Sequence, residues 1–476
     1  MVRTCADRKG WQVRARNTDS PAAAYKKVSA DEISRHISDH DAWMVINDTV
    51  WNISDFASVH PGGEAVIREN HGKDASKIYN YVHSVGLVAK HLGADARIGE
   101  VDPTTMTASW ETGRGKQGGE SYEGDEGPTF ERPPLSTILN LYDFEEVARK
   151  ALTPRAWAYS SGASNDGLTL AANVDWYRKI FFRPRVLTGV KSVDASRTIL
   201  GQKYEVPIFN SPVSLVKLAH PDGEVAIARA TATTGTTTII PTLASFTIDE
   251  MVEALPKGHP FFFQLYVNQD RSVTEKLLQE VAVWKPQAII ITVDLPVFSK
   301  REANERFEDT VQRNRAVATG SLDVKKPGAG KARSASAAIN PDLQWKDIRW
   351  VSETTKLPVF VKGIQCALDA RQAYDNGCSG IYISNHGGRA ADTAPPGILT
   401  LMEIQANCPD ILARMEVFVD GGIRRGSDIL KAICLGASAV CLGRPFFYAL
   451  VYGQEGVEHA IQSLSLLHRF YMDIYD

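Results

Sequence analysis

Two groups of residues in this chain have types and spacing that could do chemistry. The first is His60, in His60-Pro61-Gly62-Gly63, with His83 standing 23 residues further on. A Pro/Gly turn lets the backbone pass close to a flat ligand. Glu64 to Asn70 reads as a helix, and a second helix-like segment ends at Tyr81-Val82-His83. Two helical hairpins would aim two imidazoles at one iron from opposite faces. Such ligation fills both axial positions, so the iron of a haem held this way passes electrons rather than binding substrate. Taken alone, each histidine reads more simply as a surface or satisfied core residue. A zinc site would need more ligands, and none lies nearby.

The second group closes a series of short apolar runs. Gln264 and Tyr266 end one, Thr292 and Asp294 the next, and Lys362 a third. Then come Ser384-Asn385-His386-Gly387-Gly388-Arg389, Asp420-Gly421-Gly422 with Arg424, and Gly443-Arg444. Any one of these could be a cap or a surface charge. Polar residues at nearly every exit are hard to read as packing. Gly-rich exits followed by arginines form the usual barrel phosphate site. A lysine there stabilises negative charge on a reduced ring. His386 has the pKa range of a general base, and Asp294 could hold its tautomer. Arg389 offers a planar fork for a carboxylate. Together these point to flavin mononucleotide and a small acid.

The elements that must position these groups are legible. Runs at 207–210, 236–240, 261–267, 288–293, 358–362, 380–384, 416–419 and 439–442 read as buried strands. Helix-period segments such as 223–233, 272–283, 366–376 and 426–435 lie between them. Eight strands alternating with helices predict an α/β fold, a (β/α)8 TIM barrel. An open doubly wound sheet has a similar pattern. Ahead of the barrel, residues 25–101 read as a small compact unit. Residues 102–134 are poor in aliphatics and rich in Gly, Pro and charge, a linker composition that predicts a tethered rather than docked front domain. Residues 1–24 form an extension, 135–476 the barrel, and 310–340 a long loop within it.

A length of 476 residues fits two or three domains, and 43% hydrophobic with 23% charged residues is ordinary globular usage. A formal charge of -3 gives no nucleic-acid footprint. No apolar stretch is long enough for a membrane span. Six cysteines lack CxxC spacing and read as core residues in a reducing compartment. The basic N-terminus has no apolar segment for secretion. A mitochondrial transit peptide is the weaker alternative, so the expected location is the cytoplasm, with the mitochondrial intermembrane space second.

The HPGG turn with its second histidine resembles the cytochrome b5-like haem domain, with His60 and His83 as axial ligands of haem b. Residues 138–470 resemble the FMN-dependent α-hydroxy acid dehydrogenase/oxidase family, through SNHGGR (384–389), QLYV (264–267), TVD (292–294), VKG (361–363), DGGIRRG (420–426) and LGRPF (442–446). The two together resemble the flavocytochrome b2 family. By that resemblance His386 is the base, Asp294 its partner and Lys362 the neighbour of the flavin. Arg389 and Tyr159 would bind the substrate carboxylate, Tyr266 would bond its hydroxyl, and Arg301 would be a second arginine near the substrate. Pro212, Val213 and Ser214, with Gln264 and Thr292, would hold the ring. Asp420, Gly421, Gly422, Arg424, Gly443 and Arg444 would hold the ribityl phosphate arm. The implied activity oxidises an L-2-hydroxy acid, passing electrons through FMN and haem to cytochrome c or another one-electron acceptor. An oxidase using O2 and a catalytically dead scaffold are the alternatives. Ser160, Gly167, Pro241 and Ser214 depart from the family pattern and leave the acid's identity open. The chain stops at Asp476 without the extended tail that the family uses in its tetramer, which leaves that homo-oligomer open too.

Overall fold

The structure, a computed structural model, describes residues 25–60, 64–106, 110, 130–184, 186–187, 193–297, 299–307 and 339–475. The N-terminal extension, Pro61-Gly62-Gly63, the middle of the linker and nearly all of the 310–340 loop lie outside the described residues.

The front unit is built on a five-stranded sheet: β1 (Lys27–Val28), β2 (Ile37–Ser38), β3 (Asp41–Ile46), β4 (Thr49–Asn52) and β5 (Arg97–Val101), in the order β1-β5-β4-β3-β2. The apolar runs around Trp43 and Trp51 form the antiparallel β3–β4 pair, with Met44 opposite Trp51 and Val45 opposite Val50. Alternation then splits the core by face. Met44, Ile46 and Trp51 pack under the helices, while Val45, Val50 and Val28 pack on the other side. The helical segments of this unit include Ala57–Val59, which ends at His60, Glu64–Arg68, Ser76–Val82, which ends at His83, and Val85–Leu92.

An antiparallel hairpin, β6 (Arg197–Ile199) with β7 (Gln202–Tyr204), precedes the barrel. Eight parallel strands follow: β8 (Ile208–Asn210), β9 (Thr238–Pro241), β10 (Phe261–Leu265), β11 (Ile289–Thr292), β12 (Val359–Ile364), β13 (Gly380–Ile383), β14 (Glu416–Asp420) and β15 (Ala439–Leu442). The ladder runs from β9 stepwise to β15 and then to β8, which is a barrel and not a doubly wound sheet. Between β8 and β9 the Asn210 side chain closes the circle. Its Oδ1 accepts from Ile239 N at 2.9 Å and its Nδ2 donates to Ile239 O at 3.2 Å. Every barrel strand is buried almost end to end, so the strands read as continuous apolar runs. Inside the barrel, Phe209, Phe262, Phe360, Tyr382 and Phe418 form an aromatic plug, and Ile199 and Tyr204 of the hairpin join it. Outward-facing aliphatics pack under the helix ring. No described helix is long and apolar enough to cross a membrane.

The front unit does not hang free of the barrel. Ser84 N donates to Ser245 O at 2.7 Å, Ser84 Oγ to Glu250 Oε2 at 2.7 Å, and Tyr81 and Thr153 share a hydroxyl bond at 2.9 Å. Lys90 bridges Asp249 at 2.9 Å and Glu280 at 3.3 Å. Both ends of the 102–134 stretch are anchored as well. Thr105 Oγ1 accepts from Ala30 N at 2.9 Å, and Pro133 O accepts from Tyr452 at 2.8 Å. Linker composition describes the connecting chain and carries no information about two complementary faces, which is why the expectation of a merely tethered domain fails.

Candidate active site and haem-ligand pair

His60 and His83 follow the ends of two short helical segments, Ala57–Val59 and Ser76–Val82, and face each other. Their ring centroids are 6.3 Å apart with planes at 82°. A metal midway, about 2.1 Å from one nitrogen of each ring, accounts for that separation once half a ring is added on each side. Among the described residues no third His, Cys, Asp or Glu completes a metal cluster. A two-imidazole site without other protein ligands fits a metal whose remaining positions are filled by a macrocycle. Burial, reinforced by His60, pushes the His83 pKa down to about 3, so it stands in the neutral form that ligates. Its Nδ1 is buried without a hydrogen-bond partner. The residues therefore fit haem.

In the barrel, the side chains meet at the C-terminal ends of β10 to β15. His386 follows β13 in the left-handed region, φ 59°, a conformation that costs energy for a residue with a Cβ and clusters at functional sites. Its backbone N–H donates to Ser384 Oγ at 3.0 Å and its Nδ1 bonds Asp294 Oδ1 at 2.8 Å. That bond leaves Nε2 as the ring nitrogen able to take up a proton. Burial lowers the imidazole pKa, with Asp294 pulling the other way. Asp294 follows β11 and is wholly buried. Burial alone would raise its pKa, but the charges of His386 and Lys362 outweigh it and hold the carboxyl at about 2. Lys362, on β12, bonds Ser384 Oγ at 3.0 Å and reaches Asp294 Oδ2 at 3.4 Å. Asp294 can sit this close only because residue 363 is glycine. A Cβ there would lie 2.7 Å from the Asp294 Cβ.

Arg389, Arg301, Tyr159 and Tyr266 gather around the same spot. Arg389 donates to Tyr159 O at 2.7 Å and Gly162 O at 2.9 Å. Arg301 bonds Ser299 Oγ at 3.3 Å and lies near Arg389. Among the described residues neither guanidinium forms an ion pair with a carboxylate. Burial, together with the charge of Arg389, lowers the Arg301 pKa to about 9. Two neighbouring cations with no carboxylate in ion-pair contact make a site for an anion. Tyr159 hydroxyl donates to Ser214 O at 2.9 Å, tying the arginine end to the 212–214 segment. Burial raises the pKa of both tyrosines, so each keeps its proton, which Tyr159 directs to Ser214 O.

Gln264 and Thr292 share a hydrogen bond at 3.0 Å on adjacent strands, and Gln264 also accepts from Thr242 N at 3.1 Å. Asp420 accepts from Ser211 Oγ at 3.3 Å, while its Oδ1 is buried with no hydrogen-bond partner. Gly421 and Gly422 have φ 89° and 85°, and a Cβ on Gly422 would lie 1.9 Å from Asn173 O. Gly443 sits beside Val213 and Ser211. Arg444 hydrogen-bonds Gly387 O, and burial lowers its pKa to about 10. An orphaned polar atom, a glycine cradle and a buried cation fit a ribityl phosphate arm. Arg424 lies close enough to depress Arg444 but is paired with Glu145 at 2.7 Å, a partner the sequence did not point to. Pro212 and Val213 lie between Ser211 and Ser214 in the same β8 exit.

Several contributing residues carry no sequence motif. Asn173 exchanges amide hydrogen bonds with Asn385, at 3.0 and 2.8 Å, and so locks the SNHGGR turn against the helix Leu168–Arg178. Ser211 accepts from the Tyr382 hydroxyl at 3.0 Å. Of the family departures, Ser160 is spent on the Ala156 carbonyl of its own helix at 2.8 Å, and Gly167 takes a left-handed turn at φ 71°.

Residues 148–467 match the FMN-dependent dehydrogenase family, and residues 29–102 match the cytochrome b5-like heme/steroid binding domain. The chain is 38% identical over 455 residues to an L-lactate dehydrogenase (cytochrome) of Saccharomyces cerevisiae, covering 92% of this chain and 76% of that protein. To the protein of the same description in Wickerhamomyces anomalus it is 37% identical over 445 residues, covering 92% and 75%. A mutant flavocytochrome b2 with pyruvate bound superposes at a TM-score of 0.65 with 40% identity, covering 72% of this chain and 84% of that one.

Proposed function

Because the chain belongs to the FMN-dependent dehydrogenase family and carries a cytochrome b5-like haem domain ahead of its barrel, we propose that it oxidises an L-2-hydroxy acid of the lactate class to the 2-oxo acid. The electrons then leave through the haem to cytochrome c or another one-electron acceptor. The observation that carries this reading is the pair of guanidiniums, Arg301 and Arg389, without a carboxylate partner beside the His386–Asp294 couple. The yeast relatives, alike over both domains, favour this over an O2-dependent oxidase.

When bound, FMN supplies a two-electron acceptor and haem a one-electron relay. Arg389 and Arg301 hold the substrate carboxylate, and Tyr159 adds a donor at its edge by turning its one hydroxyl proton from Ser214 O to the substrate. Tyr266 bonds the substrate hydroxyl. His386 Nε2 accepts the proton released as the carbinol carbon becomes a ketone. Asp294 fixes the imidazole by the Nδ1 bond and stabilises the imidazolium that results. Lys362 meets the negative charge that builds on the reduced ring. Pro212, Val213, Ser214, Gln264 and Thr292 hold the ring. Asp420, Gly421, Gly422, Arg424, Gly443 and Arg444 hold its arm, with Arg424 exchanging its Glu145 partner for phosphate. His60 and His83 hold the iron.

The test is the visible spectrum of the purified protein titrated anaerobically with a panel of L-2-hydroxy acids. A flavin spectrum that bleaches with lactate or a close homologue is expected. A flavin that no 2-hydroxy acid bleaches overturns the reading.

A further inference from the structure

Lys217 lies three residues after Ser214, on the loop that leaves β8. Its ammonium crosses to the other domain. Nζ donates to His83 O at 2.6 Å and to Asn80 O at 2.7 Å. These are two of the last four carbonyls of the segment that ends in an iron ligand, and the final carbonyls of a helix have no intrahelical partner. A cation there also faces the negative end of the helix dipole. The next residue, Ser84, turns its N–H outward to Ser245 O rather than back along its helix. The end of the ligand helix is therefore capped by the barrel. Burial pushes the Lys217 pKa down, against the pull of Glu250 and Glu224, so this charge is held where water screens it weakly.

We propose that Lys217 is a positioning residue for electron transfer between the two cofactors, clamping the His83 segment to the loop that follows the flavin-holding turn. The inference rests on the functional reading above. One side chain joins the carbonyl of a haem ligand to a loop three residues from Ser214, and this fixes the separation of the two redox groups. Ser84 with Glu250, and Lys90 with Asp249 and Glu280, hold the same face but do not touch the ligand's own backbone. The clamp has an electronic consequence as well. A positive charge on the His83 carbonyl favours the ferrous haem, because reduction adds an electron next to it.

The experiment uses the full-length holoprotein and the variants Lys217→Met and Lys217→Arg. Stopped-flow mixing with L-lactate separates the flavin phase from the haem phase. A dithionite titration in a spectroelectrochemical cell reads the haem midpoint potential without substrate. In Lys217→Met the haem phase slows at least tenfold, the flavin phase stays within twofold, and the midpoint potential falls. Lys217→Arg, which keeps the charge, restores most of both. A haem phase within twofold of wild type, an unmoved potential, or a flavin phase slowed as much as the haem phase overturns the proposal. If Lys217→Met fails to keep haem, Lys217→Gln, which retains an amide donor, replaces it under the same criteria. A wild-type flavin that no hydroxy acid reduces refutes the functional reading instead, and the potential still tests the clamp.

Discussion

Asp294→Asn removes one charge and almost no volume. Asparagine can still accept from His386 Nδ1 through its carbonyl oxygen, so the imidazole keeps its place. What disappears is the anion beside the imidazolium that forms when His386 takes the substrate proton. The contact is 2.8 Å between Nδ1 and Oδ1, and the carboxylate is wholly buried. Charge centres roughly 4 Å apart at an effective dielectric of about 20 interact by about 4 kcal/mol. That is about three powers of ten in rate. Lys362 loses its carboxylate partner at the same time, keeping only Ser384, so some loss of stability accompanies the change. The assay is anaerobic flavin bleaching by saturating L-lactate, on protein whose FMN content and folding have been checked by absorbance and circular dichroism. Flavin reduction within tenfold of wild type would refute the idea that Asp294 acts through its charge.

Four further outcomes are expected. His83→Ala loses the low-spin b-type spectrum while flavin reduction by substrate survives; an unchanged haem spectrum rules out His83 as a ligand. Because burial lowers the His386 pKa from 6.5, the neutral base persists below that pH and is lost only as acid protonates it. The acid limb of the flavin-reduction profile then lies below pH 6.5, and a limb above it contradicts the assignment. The same linkage applies to Asp294. Its folded value of about 2 lies below the ordinary 3.8, so its contribution to stability is full above about pH 4 and drains away toward pH 2, which acid-unfolding curves of wild type and Asp294→Asn compare. Gly422→Ala meets Asn173 O and takes a left-handed backbone at a cost of at least about 1–3 kcal/mol, so it should release FMN on dialysis; full retention of flavin argues against the cradle.

Much of this was legible in the sequence. Buried parallel strands are continuous β-branched or aromatic runs, so all eight were found to within a few residues. The 223–233 helix was found with its observed ends. The chemistry at the strand exits was legible because Lys362, His386 and Arg389 are polar residues following apolar runs. Other parts were hidden for physical reasons. Asn210 looks like any polar residue at a strand end, and only three dimensions show its side chain replacing a ladder bond. Gly363 reads as a turn glycine, but its function is to let the Asp294 Cβ approach. Asn173, on a helix far from the motif it locks, has no local signature at all. The docked face has no signature in the sequence because Ser84, Lys90 and Lys217 are ordinary surface types. Their meaning comes from partners more than 100 residues away in the chain.

The central claim is that one chain passes electrons from a hydroxy acid, through the barrel site, to a haem held by His60 and His83. Anaerobic stopped-flow mixing of the intact holoprotein with L-lactate, followed at the flavin and haem bands together, tests it most directly. Flavin bleaching should come first and low-spin haem reduction second, with both phases independent of protein concentration because the domains dock within one molecule. A haem that stays ferric while the flavin bleaches, or one that is reduced only as protein concentration rises, would contradict the account.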